Sequence, residues 1–208
     1  MNNKVRNFLG ILLIIIGIGL LLFAFKGKWE TNKVQDKLYE KFVSLNENTD
    51  ETKDPDKKAE EKVDEGSQDK PKEINYYIDK IDPIAILEIP KINLNVVVAR
   101  GIEDDVIKYA VGHFEDTVMP GKVGNCALAG HRSYDTGEFF LKLNKLEIGD
   151  DIKISTNEST YTYEVTRSFT VAPEDTYVLD SSEEAIITLV TCTFDGKDRL
   201  IVQGKLKN

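Results

Sequence analysis

Residues 185–206 read AIITLVTCTFDGKDRLIVQGKL. Two runs dominated by Ile, Val, Leu and Thr flank the polar segment Asp195-Gly196-Lys197-Asp198. β-Branched residues fit a pleated surface, and a Gly-containing turn between two such runs predicts a hairpin with strands over 185–193 and 200–206. Residues 84–89, 94–99, 126–129, 151–155 and 160–171 have the same character and are separated by Gly, Pro, Asn and Asp. Tyr161, Tyr163 and Val165 alternate with Thr160, Thr162 and Glu164, which is strand periodicity. Residues 74–208 therefore read as one mainly-β domain, a barrel or sandwich of comfortable size for a single core. One helix is expected where Asp135 and Glu138 offer a capping-box-like start and Phe139, Phe140, Leu143 and Leu146 offer an apolar face, with Gly149 as the stop. A second short helix is expected over 103–110.

The chain has 208 residues and a formal charge of −9, which argues against a general nucleic-acid binder. Two cysteines exclude a disulfide framework, and with only two histidines they argue against structural zinc. Upstream of the β domain the composition changes twice. Residues 8–25, FLGILLIIIGIGLLLFAF, are 18 consecutive residues with no charge and no hydroxyl. The run is longer than a usual signal-peptide core and ends without a small-x-small cleavage site, so it reads as an uncleaved transmembrane anchor. Residues 1–7 would be cytoplasmic, with Lys4 and Arg6 weakly favouring that orientation over Lys26 and Lys28 beyond the run. In 26–46, Val34, Leu38, Phe42 and Leu45 recur at helical spacing, as in a juxtamembrane stalk. Residues 47–73 contain 17 charged side chains, with Ala59 and Val63 the only aliphatic ones. Such a segment buries too little to offset its ordering entropy and is expected to be a disordered tether.

Three residues of the β domain suit covalent catalysis. Cys192 ends the apolar run 186–191, and Arg199 returns beside it across the hairpin. His131 follows the apolar run 126–129 and Gly130, where a buried strand ends. A thiol, an imidazole and a guanidinium at strand ends can supply a nucleophile, a proton carrier and an oxyanion donor. Local pattern leaves plainer alternatives open: Cys192 as core packing, His131 bonding a loop carbonyl, and Arg199 paired with Asp195 or Asp198.

The strings LAGH (128–131) and TLVTC (188–192), with Arg199 in RLIV, resemble the signature of the sortases, membrane-anchored transpeptidases of Gram-positive bacteria. IAILEIPKINL (84–94) is similar to the first strands of that family, and the compact length looks most like class D. The resemblance implies a closed eight-stranded β-barrel with one or two short helices, preceded by the transmembrane helix and carrying its site at the rim. It implies Cys192 as acyl-thioester nucleophile, Arg199 as oxyanion stabiliser and His131 as proton donor and acceptor. Ala129 and Thr191 match family positions that contact substrate.

The implied partners are proteins with LPxTG-like sorting signals, cut between Thr and Gly, and an amine acceptor from a peptidoglycan precursor or a pilin. The implied location is a single-pass cell-membrane protein with its catalytic domain outside. Some relatives use calcium, but the acidic clusters at 103–105 and 115–116 read more simply as solvated loops, so no cofactor and no metal is expected. His113 stands between a groove role and an exposed loop. Strand rise places Cys126 far along its strand from His131, and the implied chemistry holds Cys192 near His131, so Cys126 and Cys192 are not expected to pair. Rival readings are a tethered cysteine protease, although papain-like enzymes place Cys before His, and a non-catalytic surface β-domain.

Overall fold

The computed structural model describes residues 3–50, 71–132 and 139–207. Eight strands close a barrel: β1 (Pro83–Ile89), β2 (Leu94–Arg100), β3 (Val111–His113), β4 (Gly124–Ala129), β5 (Asp151–Ser155), β6 (Thr160–Val171), β7 (Ala185–Cys192) and β8 (Arg199–Leu206). Their order around the barrel is β1-β2-β3-β4-β7-β8-β6-β5. Closure gives every strand a neighbour on both sides, although the short β3 covers only Val98–Arg100 of β2. Inward-facing Leu87, Val98, Leu128, Ile152, Tyr163, Leu189 and Val202 form its core.

Two pairs are parallel, β2 with β3 and β4 with β7. The second matters most, because residues far apart in sequence end side by side. Its register is pinned at one end by a buried polar chain across three strands. Thr188 Oγ1 donates to Asn125 Oδ1 at 2.7 Å, and Gln203 Nε2 donates to Thr188 Oγ1 at 2.9 Å. Asn125 Nδ2 also donates to the carbonyls of Val178 and Asp180, fastening the β6–β7 connection to the barrel wall.

The segment expected as a helix over 139–149 is turns and a 3₁₀ helix, Leu143–Lys145. Leu143 N donates to Phe140 O and Leu146 N to Leu143 O, both three residues back. Phe140, Leu143 and Leu146 recur every three residues, which aligns on a 3₁₀ turn, and all three are buried. The expected cap at Asp135 and Glu138 lies outside the described residues. The expected helix over 103–110 forms as a short helix over Asp104–Tyr109.

Outside the barrel, α1 (Asn3–Asp50) is a continuous helix and α2 (Pro71–Lys80) leads into β1; the short helix over Asp104–Tyr109 is α3. The spaced residues Val34, Leu38 and Phe42 do not stand off as a stalk. They are buried against Ile81, Ile86, Val97, Ala99, Val106 and Tyr109, a second core between α1 and the outer face of β1 and β2. Among the described residues no helix is long and apolar enough to cross a membrane. The side chains of residues 20–28 and 3–10 are outside that description, and the described ones from Ile11 to Ile16 are exposed. Most of the expected tether, 51–70, also lies outside the described residues.

His113 is no exposed loop residue: it is 1% exposed on β3. Its Nε2 donates to the Val118 carbonyl at 3.1 Å, while buried Nδ1 has no partner among the described residues. Burial lowers its pKa below the ordinary imidazole value. The folded protein therefore takes up this proton less readily than the unfolded chain, whose histidines titrate near 6.5. That contribution to stability is complete above about pH 6.5 and is lost as pH falls through the lower folded value. Urea-unfolding midpoints should hold steady from about pH 8 to 7 and then fall on acidification, with a shallower fall for His113→Gln.

Candidate active site

β7 and β8 pair so that Cys192 and Arg199 face each other in register. Directly opposed residues of an antiparallel pair lie with Cα atoms about 4.5–5.5 Å apart. On the other side of β7, Ala129 of β4 pairs with Val190. The chain beyond β4 stays fastened to β7: Gly130 N donates to Val190 O at 3.1 Å, Thr191 Oγ1 donates to Gly130 O at 2.7 Å, and Arg132 Nη1 donates to Cys192 O at 3.4 Å. His131 sits between these ties, beside Cys192. The barrel thus brings His131, Cys192 and Arg199 together at one end, at or just beyond the ends of three adjacent strands.

All three are half-buried, so each is anchored yet reachable. Burial lowers the His131 pKa, only partly opposed by the negative charge of Asp104, and keeps the ring neutral at pH 7. Arg199 makes no ion pair among the described residues and donates only to the Asp198 carbonyl at 3.3 Å. Asp195 is occupied elsewhere. Its carboxylate accepts from Thr193 Oγ1 at 2.7 Å and from Lys197 N at 3.3 Å, which holds its pKa below the usual carboxylate range. The surface pairing considered for Arg199 is therefore not made, and no carboxylate among the described residues occupies its guanidinium.

Of the two residues matched to substrate contacts, Ala129 is half-buried at the rim. Thr191 is 3% exposed, and its hydroxyl is engaged by Gly130, so it ties β7 to the His131 segment. Arg132 escaped the sequence reading. Its guanidinium lies 5.4 Å from the Phe194 ring, and its buried Nε has no partner among the described residues. The only signal was a second cation directly after His131. The space after Gly130 is tight: a Cβ there would meet Phe140 Cδ2 at 2.7 Å, and Phe140 N donates to His131 O at 3.1 Å.

Cys126 lies inside the barrel opposite Ile187, five residues down β7 from Cys192. Both cysteines are free. Desolvation pushes the Cys126 thiol up to about 12. No group of three or more His, Cys, Asp or Glu among the described residues is arranged to hold a metal ion. Of the acidic clusters, Asp105 pairs with Lys80 at 3.6 Å.

A closed barrel with a thiol and an arginine paired across a rim hairpin, and a histidine two residues beyond the end of the adjoining strand, is the arrangement expected of a sortase-type site. The sortase-domain family model matches residues 87–207, and the chain belongs to the sortase family. It is 38% identical over 140 residues to sortase SrtE1 of Streptomyces coelicolor, covering 59% of this chain and 40% of that protein. It is 32% identical over 126 residues to sortase D of Bacillus subtilis, covering 58% of this chain and 62% of that protein. The matches therefore span less than two thirds of either relative. Among solved structures, a sortase D5 transpeptidase of Clostridium perfringens superposes with a TM-score of 0.65 at 36% identity, covering 85% of this chain and 99% of that one. Sortase E1 of Streptomyces coelicolor, solved with a tripeptide in its active site, gives 0.56 at 35% identity over 61% and 89% of the two chains.

Two outcomes follow from this geometry. Alkylation of the native protein followed by peptide mapping should modify Cys192 and leave Cys126 untouched. Gly130→Ala should cost about 1–3 kcal/mol in urea unfolding, because the new methyl must displace the Phe140 ring.

Proposed function

We propose that this chain is a membrane-anchored cysteine transpeptidase that cleaves an LPxTG-like sorting signal between Thr and Gly and passes the acyl group to an amine of a cell-wall precursor or a pilin. The observation that carries the proposal is the in-register opposition of Cys192 and Arg199 with His131 fastened alongside. Likeness to sortase D of Bacillus subtilis and to the Clostridium perfringens sortase D5 transpeptidase supports a class D assignment. The uncharged run 8–25 supports an anchor that leaves residues 1–7 inside and the barrel outside.

Burial keeps His131 neutral at rest, so it accepts the thiol proton as Cys192 attacks the Thr carbonyl. Negative charge develops on the carbonyl oxygen, where the planar, permanently charged fork of Arg199 stabilises it. Collapse of the tetrahedral adduct breaks the C–N bond to Gly. Imidazolium in surroundings that disfavour charge gives its proton readily to the departing amine. The Cys192 thioester is then attacked by the acceptor amine, whose proton passes to His131. The new amide forms and His131 returns the proton to the Cys192 sulfur. Ala129 borders the groove, Thr191 holds its floor in place, and no step requires a cofactor.

Cys192→Ala should abolish both cleavage and transfer of a signal peptide while leaving the thermal unfolding transition in place; turnover above background by this variant would overturn the assignment. Arg199→Lys keeps charge but loses the multi-donor fork, and kcat/KM should fall by about 10²–10³. Near-wild-type kinetics would remove Arg199 from the oxyanion role. Comparing product with and without added amine separates transfer from the hydrolysis that a tethered cysteine protease would perform.

A further inference from the structure

The docked part of α1 has a direction relative to the active site. β4 and β7 both end at the rim that holds His131 and Cys192. β1 runs the same way, since it is antiparallel to β2, β2 is parallel to β3, and β3 is antiparallel to β4. Ile81, just before β1, therefore lies at the far end of the barrel. Along α1, Lys41 Nζ donates to the carbonyls of Ile78 and Ile81, both at 2.8 Å. Six residues earlier, Gln35 Oε1 accepts from Val97 N at 2.9 Å in mid-β2, and its Nε2 donates to Tyr109 O. Earlier still, Glu30 accepts from Tyr109 Oη at 3.0 Å, just before β3 leaves the rim. From Lys41 back to Glu30, α1 thus climbs from the far end toward the active-site end.

These contacts make the docking specific. Val97 N lies just outside the β2–β3 ladder, which begins at Val98, and Gln35 supplies the acceptor it would otherwise lack. Lys41 satisfies carbonyls at and just beyond the end of α2, where a cation also complements the helix dipole. Upstream of Glu30 the helix is unbroken. Five residues at 1.5 Å each place Phe25, the last residue of the uncharged run, only about 8 Å along the axis from Glu30.

We infer that α1 is a rigid strap that turns the active-site end of the barrel toward the bilayer and holds it close to the surface, in place of a loose tether. The inference rests on the reading of residues 8–25 as a membrane anchor. A second feature points the same way. Phe194 at 80% and Ile148 at 77% are the most exposed large apolar side chains among the described residues. Phe194 lies in the β7–β8 turn, and Ile148 lies just before β5, which runs opposite to β1, so both sit at the active-site end. An apolar pair at the end nearest the lipid suits the membrane interface. Donor and acceptor would then meet the enzyme at the membrane surface, within reach of the rim.

The test uses the full chain in liposomes that carry a nitroxide on the lipid headgroup. A bimane fluorophore is placed on Cys192, or on Glu183→Cys in a Cys192→Ala background; Glu183 lies near the opposite end, before β7. β7 has eight residues at about 3.3 Å each, so quenching at position 192 should exceed that at 183 by about twofold or more. A third protein carries a flexible Gly/Ser insertion between Gly27 and Lys28, upstream of every docking contact, and should lose the difference. Equal or reversed quenching in the uninterrupted chain, with the protein still co-floating with the liposomes, overturns the orientation alone. Failure to co-float overturns the anchor and the orientation together. A difference that survives the insertion overturns the role of α1 as strap.

Discussion

Everything at the site depends on the parallel register of β4 against β7. These strands are joined by a long excursion through β5 and β6, so no hairpin fixes their alignment. The buried Asn125–Thr188–Gln203 chain does so at one end, and the Thr191–Gly130 and Gly130–Val190 bonds do so at the other. A slip of one residue would turn Thr188 and Asn125 to the wrong faces and leave buried polar groups unpaired, at roughly 1–3 kcal/mol each. It would also carry His131 away from Cys192. The polar residues inside this wall therefore do work that apolar packing cannot, because apolar contacts tolerate sliding and paired amides do not.

With register fixed, the electrostatics follow from how deeply each group is set. The same partial burial that keeps His131 neutral also makes its protonated form a willing donor. Among the described residues Arg199 makes no ion pair, because Asp195 is held within its own turn by Thr193 and Lys197. The neighbouring cation, Arg132, is held by the Cys192 carbonyl and the Phe194 ring. The turn that closes the hairpin thus keeps the Asp195 carboxylate away from the Arg199 guanidinium as well as returning the chain.

How much of this was legible depended on the range of the interactions involved. The hairpin of Cys192 and Arg199 was readable because its two strands and turn are contiguous and each obeys local rules. β3 was not, because three residues, Val-Gly-His, carry no periodicity and pair only because β2 and β4 are already in place. The 3₁₀ turn at 143–145 was misread as a longer helix, although the three-residue spacing of Phe140, Leu143 and Leu146 is its proper signature. The apolar face of Val34, Leu38 and Phe42 was visible, but its partner, the outside of β1 and β2, is set only by tertiary packing. For the same reason the burial of His113 and the role of Arg132 could not be seen in advance, whereas the separation of Cys126 from Cys192 followed from strand rise once the family resemblance had set Cys192 beside His131.

The central claim is that Cys192 carries the acyl group in a thioester that an amine resolves. Intact-protein mass spectrometry after mixing the enzyme with an LPxTG-type peptide measures this most directly. The account predicts an adduct with the mass of the peptide's acyl portion, mapped to Cys192, that disappears on adding the amine as the transferred product appears. An adduct on another residue, or product that forms at the same rate by hydrolysis whether or not amine is present, would contradict it.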